Sequence, residues 1–251
     1  MSELEGWERS DFTAAGFTRA VYRRGTGPGV IVVHEIPGIS PAVQRFAEEV
    51  VDRGCTVVMP DLVGTPGKEV SNGYLASSFA KVCVAREFST WGAGRTSPIV
   101  GWLRALARSL HQEVGGPGVG AVGMCFSGGF ALAMMVDDVM VAPVLSQPSL
   151  PFPVGRRRGA DLGLSADDRL VVARRAAEGC EVLGLRYTDD KFVGTRFDSL
   201  RELLGDAFIA IELPSSSRAD HSVLTEHRDE ASVQRVLDFL TSKLASPSAS
   251  G

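Results

Sequence analysis

The sequence has few cysteines, and their spacing is not that of a metal site. Four cysteines occur among 251 residues, and no two of them form a Cys-x-x-Cys pair. Zinc sites and thioredoxin-type redox motifs use closely spaced pairs, so we expect neither of them here. Scattered cysteines also suit a reducing compartment. We therefore expect no metal, no cofactor and a cytoplasmic protein.

An excess of positive charge and a long apolar run are also missing. The formal net charge is −4, and the only dense basic run is the three arginines at 156–158, which we interpret as a solvated loop. No uninterrupted stretch reaches the roughly 18 apolar residues of a membrane span. The chain begins Met-Ser-Glu-Leu-Glu, which is acidic and lacks the apolar core of a signal peptide. The sequence thus predicts a soluble, intracellular protein that binds neither nucleic acid nor membranes.

The sequence does contain enough apolar material for one large core. Hydrophobic residues make up 44% of the chain, and α/β domains of this size commonly form a single unit. We predict one domain over residues 1–244 and a disordered tail over residues 245–251, where small and polar side chains cannot pack. We expect a monomer or a small homo-oligomer.

Strand-like and helix-like segments alternate along the chain. The β-branched run at 29–34 precedes a helix start at Ser40 and Pro41, and Ser97 with Pro98 gives the same start signal again. Further strands are expected at 56–59, 118–123, 139–145, 181–187 and 207–213, and further helices at 197–204 and 232–244. This alternation predicts an α/β fold with a mostly parallel central sheet and helices on both faces. Active groups are then expected in loops beyond the carboxyl ends of the strands.

The most informative segment is Gly-Met-Cys-Phe-Ser-Gly at 123–128, where an apolar strand breaks into a turn of small residues before an apolar helix. Nucleophile elbows have the pattern Gly-x-Ser-x-Gly, because small residues let a strained turn lift one side chain clear of the sheet. Cys125 occupies the apex, where the helix amides favour a thiolate and an oxyanion alike. Ser127 replaces the second glycine of the pattern. Cys125 is therefore a nucleophile candidate, and the alternative is a small buried hydrophobe, as most free cysteines are.

A catalytic thiol needs a base, and His221 is the best candidate. It is one of four histidines and the only one in a loop that follows a late strand, although most loop histidines are merely solvated. An aspartate follows the preceding strand. The order Cys125, Asp190, His221 is that of nucleophile, acid and histidine in α/β-hydrolases. The pattern alone does not separate Asp190 from its neighbour Asp189.

With these residues the chain resembles the dienelactone hydrolase family, whose pattern has an early glutamate, then Gly-x-Cys-x-Gly-Gly, then an aspartate and a histidine. The similarity is clearest at 30–38 and at 123–129. It implies an α/β-hydrolase fold. It also implies that Asp190 is the acid, because Asp189 stands where the family commonly has a glycine.

The resemblance implies roles for further residues. Glu35 matches the family glutamate, which pairs with the resting thiol and helps to form the thiolate; otherwise it is a strand-end carboxylate neutralised by an arginine. The backbone amides of Ile36 and Phe126 match the oxyanion hole. Arg86 matches one arginine that binds the substrate carboxylate, or else forms a surface ion pair. Thr225 stands where the other arginine is expected, which argues against dienelactone itself.

Aromatic surface for a substrate pocket is expected from Trp91 and Phe126, and a pocket wall from the proline-rich connection after residue 145. Together these features predict a thiol hydrolase that cleaves a small ester or lactone through a cysteinyl acyl-enzyme. One alternative is acyl transfer or lactone rearrangement in a biosynthetic pathway. Another is a catalytically silent hydrolase fold that serves as a binding module.

Overall fold

One sheet forms the centre of the protein. The structure is a computed structural model, and it describes residues 4–89 and 91–245. Within these residues the strands are β1 (Glu8–Ala14), β2 (Phe17–Arg24), β3 (Gly29–Val33), β4 (Thr56–Pro60), β5 (Val119–Met124), β6 (Met140–Ser146), β7 (Val182–Tyr187) and β8 (Phe208–Leu213). They form an eight-stranded sheet in the order β1-β2-β4-β3-β5-β6-β7-β8.

Helices connect most of these strands. In the described part of the chain they are α1 (Pro41–Asp52), α2 (Asn72–Val84), α3 (Ile99–Val114), α4 (Gly128–Met134), α5 (Arg156–Gly159), α6 (Ala166–Ala177), α7 (Arg196–Leu204) and α8 (Glu230–Leu244). Single 3₁₀ turns cover Arg86–Phe88, Cys125–Ser127 and Gly205–Ala207.

Strands β3 to β8 are parallel to one another. Strands β1 and β2 form an antiparallel hairpin, and β2 pairs with β4 in the antiparallel direction. The fold class expected from the sequence is therefore confirmed. The hairpin and α2 were not predicted. β1 has no buried residue, and α2 buries only Tyr74, Ser78 and Val82, so neither shows a strong apolar pattern.

The sheet is covered on both faces. Apolar residues of α1 and α8 pack on one face, and those of α3, α4, α6 and α7 pack on the other. Strands β3, β4 and β5 lie in the middle of the sheet and are buried along their whole length. Their continuous apolar runs reflect this double cover, and their carboxyl ends meet at one edge.

Of the two helix starts predicted from Ser-Pro pairs, one follows its sequence signal. The hydroxyl of Ser40 accepts a hydrogen bond from the Val43 amide at 3.3 Å, so Ser40 is the N-cap of α1. The hydroxyl of Ser97, by contrast, donates to the Phe88 carbonyl at 2.7 Å, and α3 begins only at Ile99. The prediction of an N-cap at Ser97 is wrong, because a tertiary contact uses its side chain.

Among the described residues, no helix is both long enough and apolar enough to span a bilayer. Apart from Ala245, the tail predicted at 245–251 lies outside the described residues.

Candidate active site

Cys125 lies in a strained turn at the end of the central strand β5. Its φ is +54°, a backbone angle that residues other than glycine rarely adopt. The turn leaves no room for larger neighbours: a Cβ on Gly123 would collide with the Ser127 carbonyl oxygen, and one on Gly128 would lie 2.7 Å from the Pro148 Cα. The sequence Gly-Met-Cys-Phe-Ser-Gly thus folds as an elbow that presents the Cys125 side chain.

Ser127, which departs from the glycine of the elbow pattern, fixes the turn from inside. Its buried hydroxyl accepts a hydrogen bond from the Met124 amide at 2.9 Å. It also lies 2.9 Å from the Val33 carbonyl and 3.1 Å from the His34 carbonyl. The hydroxyl therefore joins the end of β5 to the end of β3, the strand that leads to Glu35.

His221 and Asp190 form a hydrogen-bonded pair beside Cys125. The His221 Nδ1 lies 2.6 Å from the Asp190 Oδ2, so Nδ1–H donates to the carboxylate and Nε2 remains for the sulfur. The Asp190 Oδ1 also accepts from the Phe192 amide at 2.9 Å. Asp190 is buried, whereas Asp189 is exposed. Of the two carboxylates that the sequence left open, Asp190 is the one that contacts the imidazole.

The charge of His221 depends on these neighbours. Burial lowers its pKa, but charge interactions and hydrogen bonds with Cys125 and Asp190 outweigh burial and raise the pKa well above its usual value. An imidazolium beside a sulfur stabilises a thiolate. The arrangement can therefore hold a thiolate–imidazolium pair.

Glu35 lies in the same cavity as Cys125, but its carboxylate is hydrogen-bonded to other residues. Gln147 Nε2 and the Ser222 hydroxyl donate to Oε2 at 3.1 and 2.7 Å, and the Thr225 hydroxyl donates to Oε1. No hydrogen bond joins it to the sulfur in the described structure, and all three donors are uncharged. Burial raises the pKa of Glu35, although these hydroxyls and His221 act in the opposite direction.

The partners of Glu35 were missed by the sequence analysis. The sequence indicated only that Thr225 stands where the family pattern has an arginine, and that Ser222 is next to His221. Gln147 directly follows β6 and has a φ of +35°, another positive value at a residue with a side chain. Its place beyond the carboxyl end of a parallel strand is the signal that could have identified it.

The segment that carries Ile36 is supported by His34. The Leu62 amide donates to His34 Nε2 at 3.1 Å, so Nδ1–H donates to the Glu35 carbonyl at 2.8 Å. Burial lowers the pKa of His34 to about 4, so the ring is neutral near pH 7. Ile36 lines the cavity that contains Cys125, and Phe126 follows Cys125 in the chain.

The ring of Phe126, however, lies in the core and not in the cavity. It is fully buried and packs against Phe88 and Phe130, with ring centroids 5.4 and 5.9 Å apart. The expectation that this ring adds surface to the pocket is wrong, because the ring packs in the hydrophobic core.

The cavity at Cys125 has a volume of about 520 Å³ and is walled largely by apolar side chains. Phe79, Phe152 and Phe192 form its aromatic wall, and the Phe192 ring lies 5.5 Å from the His221 ring. Glu35 and Glu226 are its acidic members, and no lysine or arginine is found among the described residues that line it.

The two residues expected to bind substrate, Arg86 and Trp91, do not line this cavity. Arg86 is exposed and does not line the cavity, and the adjacent Glu87 pairs with Arg19 instead. Trp91 does not line this cavity, but its ring lies 5.5 Å from that of Phe152. The structure thus brings together Cys125, His221, Asp190, Glu35 and Ile36, but not Arg86.

Comparisons with known proteins identify the family and the fold. A model of the dienelactone hydrolase family matches residues 17–243. A solved dienelactone hydrolase from Anabaena variabilis is 15% identical, with a TM-score of 0.63 over 96% of this chain and 100% of its own. A dienelactone hydrolase-like promiscuous phosphotriesterase from metagenomic libraries is 17% identical, with a TM-score of 0.64 over 95% and 98%.

A cold-adapted esterase from an Arctic intertidal metagenomic library is 14% identical, with a TM-score of 0.61 over 97% of both chains. At these identities the structural likeness establishes the fold. The curated proteins compared with this chain give no match.

Proposed function

The chain belongs to the dienelactone hydrolase family, and from that premise we propose that it is a thiol hydrolase of small, predominantly apolar esters or lactones. One observation carries the proposal. Asp190 is hydrogen-bonded to His221, His221 interacts with Cys125, and both His221 and Cys125 line the apolar cavity. Nucleophile, base and orienting acid in contact are the requirement for covalent acyl transfer.

In the proposed first step, the Cys125 Sγ attacks the ester carbonyl carbon, and the carbonyl electron pair moves to oxygen. The amides of Ile36 and Phe126 donate to this oxyanion. When the intermediate collapses, the carbon–oxygen bond to the leaving group breaks, and the leaving oxygen takes a proton from the His221 Nε2. The products of the step are an alcohol and a thioester on Cys125.

In the second step, a water molecule loses a proton to the His221 Nε2 and attacks the thioester carbonyl. The carbon–sulfur bond then breaks, which releases the carboxylic acid and restores the thiolate beside an imidazolium. Asp190 holds the Nδ1–H throughout and stabilises the positive ring. In this proposal Glu35 orders the site, because it binds Ser222 and Thr225 from the loop of His221. A pairing of Glu35 with the thiol would require its carboxylate to leave these partners.

The charge of the cavity supports a neutral reacting group. Its described lining contains Glu35 and Glu226 but no lysine or arginine. A carboxylate close to the scissile ester would therefore meet no lysine or arginine and would lose its hydration. For this reason we propose neutral esters and not dienelactone.

The test is the replacement Cys125→Ala. We expect turnover of p-nitrophenyl acetate to fall by at least about 1,000-fold, because the nucleophile is removed. Intact-protein mass spectrometry at short times should detect an acylated wild-type chain and no acylated variant. Cys83→Ala, on α2 and outside the cavity, is the matched control and should hydrolyse the ester normally. Full turnover by Cys125→Ala would contradict the proposal, and the absence of turnover by the wild type would favour a silent binding module.

A further inference from the structure

Exposed apolar side chains gather beside the candidate active site. Six large hydrophobic residues are exposed in the described chain, and four of them, Phe79, Trp91, Val154 and Phe192, line one groove. Scattered exposed hydrophobics are ordinary, but a contiguous group usually marks a binding surface. Four of six in one place therefore points to a ligand.

This groove continues the cavity at Cys125. The two spaces share Phe79, Phe152 and Phe192 as lining residues, and the groove adds about 340 Å³. The Phe79 and Phe152 ring centroids are 4.9 Å apart, and those of Phe152 and Trp91 are 5.5 Å apart. An aromatic wall thus leads from the proposed nucleophile to the protein surface.

Positive charge lies at the far end of this wall. A third space, of about 620 Å³, shares Trp91 with the groove and is lined by Arg95, Arg157 and Arg158. The Arg158 guanidinium lies 5.7 Å from the Trp91 ring centroid. None of the three arginines makes an ion pair with a described residue, although the chain as a whole has a net charge of −4. Unpaired cations in an acidic protein leave a site for an anion.

The walls of the groove are held in place by Arg196. Its buried guanidinium donates to the carbonyls of Phe192 and Val193 at 3.0 and 2.8 Å, and to those of Pro151 and Arg158. These carbonyls belong to the separate segments that border the groove. A groove fixed in advance loses less entropy when it binds a flexible chain.

We propose that the groove binds the acyl part of the substrate: an extended apolar chain along the aromatic wall, ending in an anionic group held by Arg157 and Arg158. The inference rests on the proposed function, because the ester carbonyl must then lie at Cys125. Since no described lysine or arginine lines the cavity at Cys125, a terminal anion gains from its charge only beyond that cavity. There Lys191 lines the groove, and Arg157 and Arg158 line the space at its far end.

The test compares p-nitrophenyl hydrogen suberate with its neutral analogue, p-nitrophenyl methyl suberate. We expect kcat/KM to be about tenfold higher for the acid, an effect equal to 1.4 kcal/mol. The advantage should grow along the series from adipate to sebacate, and it should shrink at high salt, which screens exposed charges. An ester that carries a phosphate at the same position shows which of the two anions the arginines prefer.

The double variant Arg157→Gln/Arg158→Gln should bring the ratio of the two kcat/KM values to about one. Arg156→Gln is the matched control, because Arg156 belongs to the same short helix α5 but does not line the space. Binding of monomethyl suberate to Cys125→Ala, followed by calorimetry, gives a readout without turnover and should weaken when the two arginines are replaced.

Equal rates for the acid and the methyl ester in the wild type would overturn the groove assignment, as would an anion preference that survives the double variant. Both results leave the proposed function intact as long as release of p-nitrophenol from p-nitrophenyl methyl suberate depends on Cys125. If Cys125→Ala released p-nitrophenol at the wild-type rate, the proposed function itself would be contradicted.

Discussion

The imidazole of His221 connects side chains from two different loops. Its Nδ1–H is 2.6 Å from Asp190, and its interactions with Cys125 and Asp190 raise its pKa despite burial. A carboxylate in this position fixes the tautomer that leaves Nε2 toward the sulfur, and it stabilises the charged ring.

Asp190→Asn tests this link. We expect kcat for p-nitrophenyl acetate to fall by about 100- to 10,000-fold, because the asparagine neither fixes the tautomer nor stabilises the imidazolium. The pKa of His221, followed by NMR titration, should fall from its raised value, since part of what raises it is removed. Asp189→Asn is the neighbouring control on an exposed side chain. Equal activity of the two variants would contradict the role given to Asp190.

At the scale of the elements, the elbow depends on the contact between the ends of β3 and β5. Ser127 makes that contact with a single hydroxyl that touches the Met124 amide and the carbonyls of Val33 and His34. The elbow pattern has a glycine at this position, which has no side chain to make these bonds. The serine is thus a structural part of the turn.

Ser127→Ala should lower the free energy of unfolding by about 1–3 kcal/mol, because the Met124 amide loses its acceptor and a buried carbonyl loses its donor. Urea unfolding measures the change. Ser77→Ala is the control: the Ser77 hydroxyl donates to the Tyr74 carbonyl on the exposed surface of α2, and its loss should cost less than about 0.5 kcal/mol. If both variants are equally stable, the hydroxyl of Ser127 does not hold the turn.

At the scale of the whole molecule, buried ionisable groups make stability depend on pH. His34 is fully buried, and its pKa is lowered to about 4 by desolvation. Between about pH 6.5 and pH 4 the unfolded chain binds this proton and the folded chain does not. Unfolding is therefore favoured as the pH falls. Asp61 has the opposite sign, because burial raises its pKa to about 6.

His34→Gln separates these contributions. The glutamine does not titrate, so the stability advantage of the wild type over this variant should shrink by about 3 kcal/mol as the pH falls from 7 to 4. Urea unfolding at several pH values gives this difference. Asp61→Asn should show the reverse trend, with the wild type gaining on the variant toward low pH. If the difference in free energy of unfolding between the wild type and His34→Gln stays constant from pH 7 to pH 4, His34 is not the source of this pH dependence.

The extent to which the site could be read from the sequence differs from residue to residue. Cys125 and its turn are local features, because Gly123 and Gly128 are needed within a few residues of it. His221 was recognisable from its place after a late strand. Arg86 was expected at the substrate, but it lies outside the cavity. The family pattern matches its position in the chain, whereas the direction of the segment after α2 depends on tertiary packing.

The sequence by itself determined the alternation of strands and helices, the double cover of the central strands and the small residues of the elbow. These properties depend on neighbours a few positions apart. The tertiary structure decided which groups meet: Glu35 with Gln147 and Thr225, Ser127 with β3, and the aromatic wall with the arginines of α5 and Arg95. Such contacts join distant segments, and their geometry depends on how the helices pack against the sheet, which no local pattern specifies.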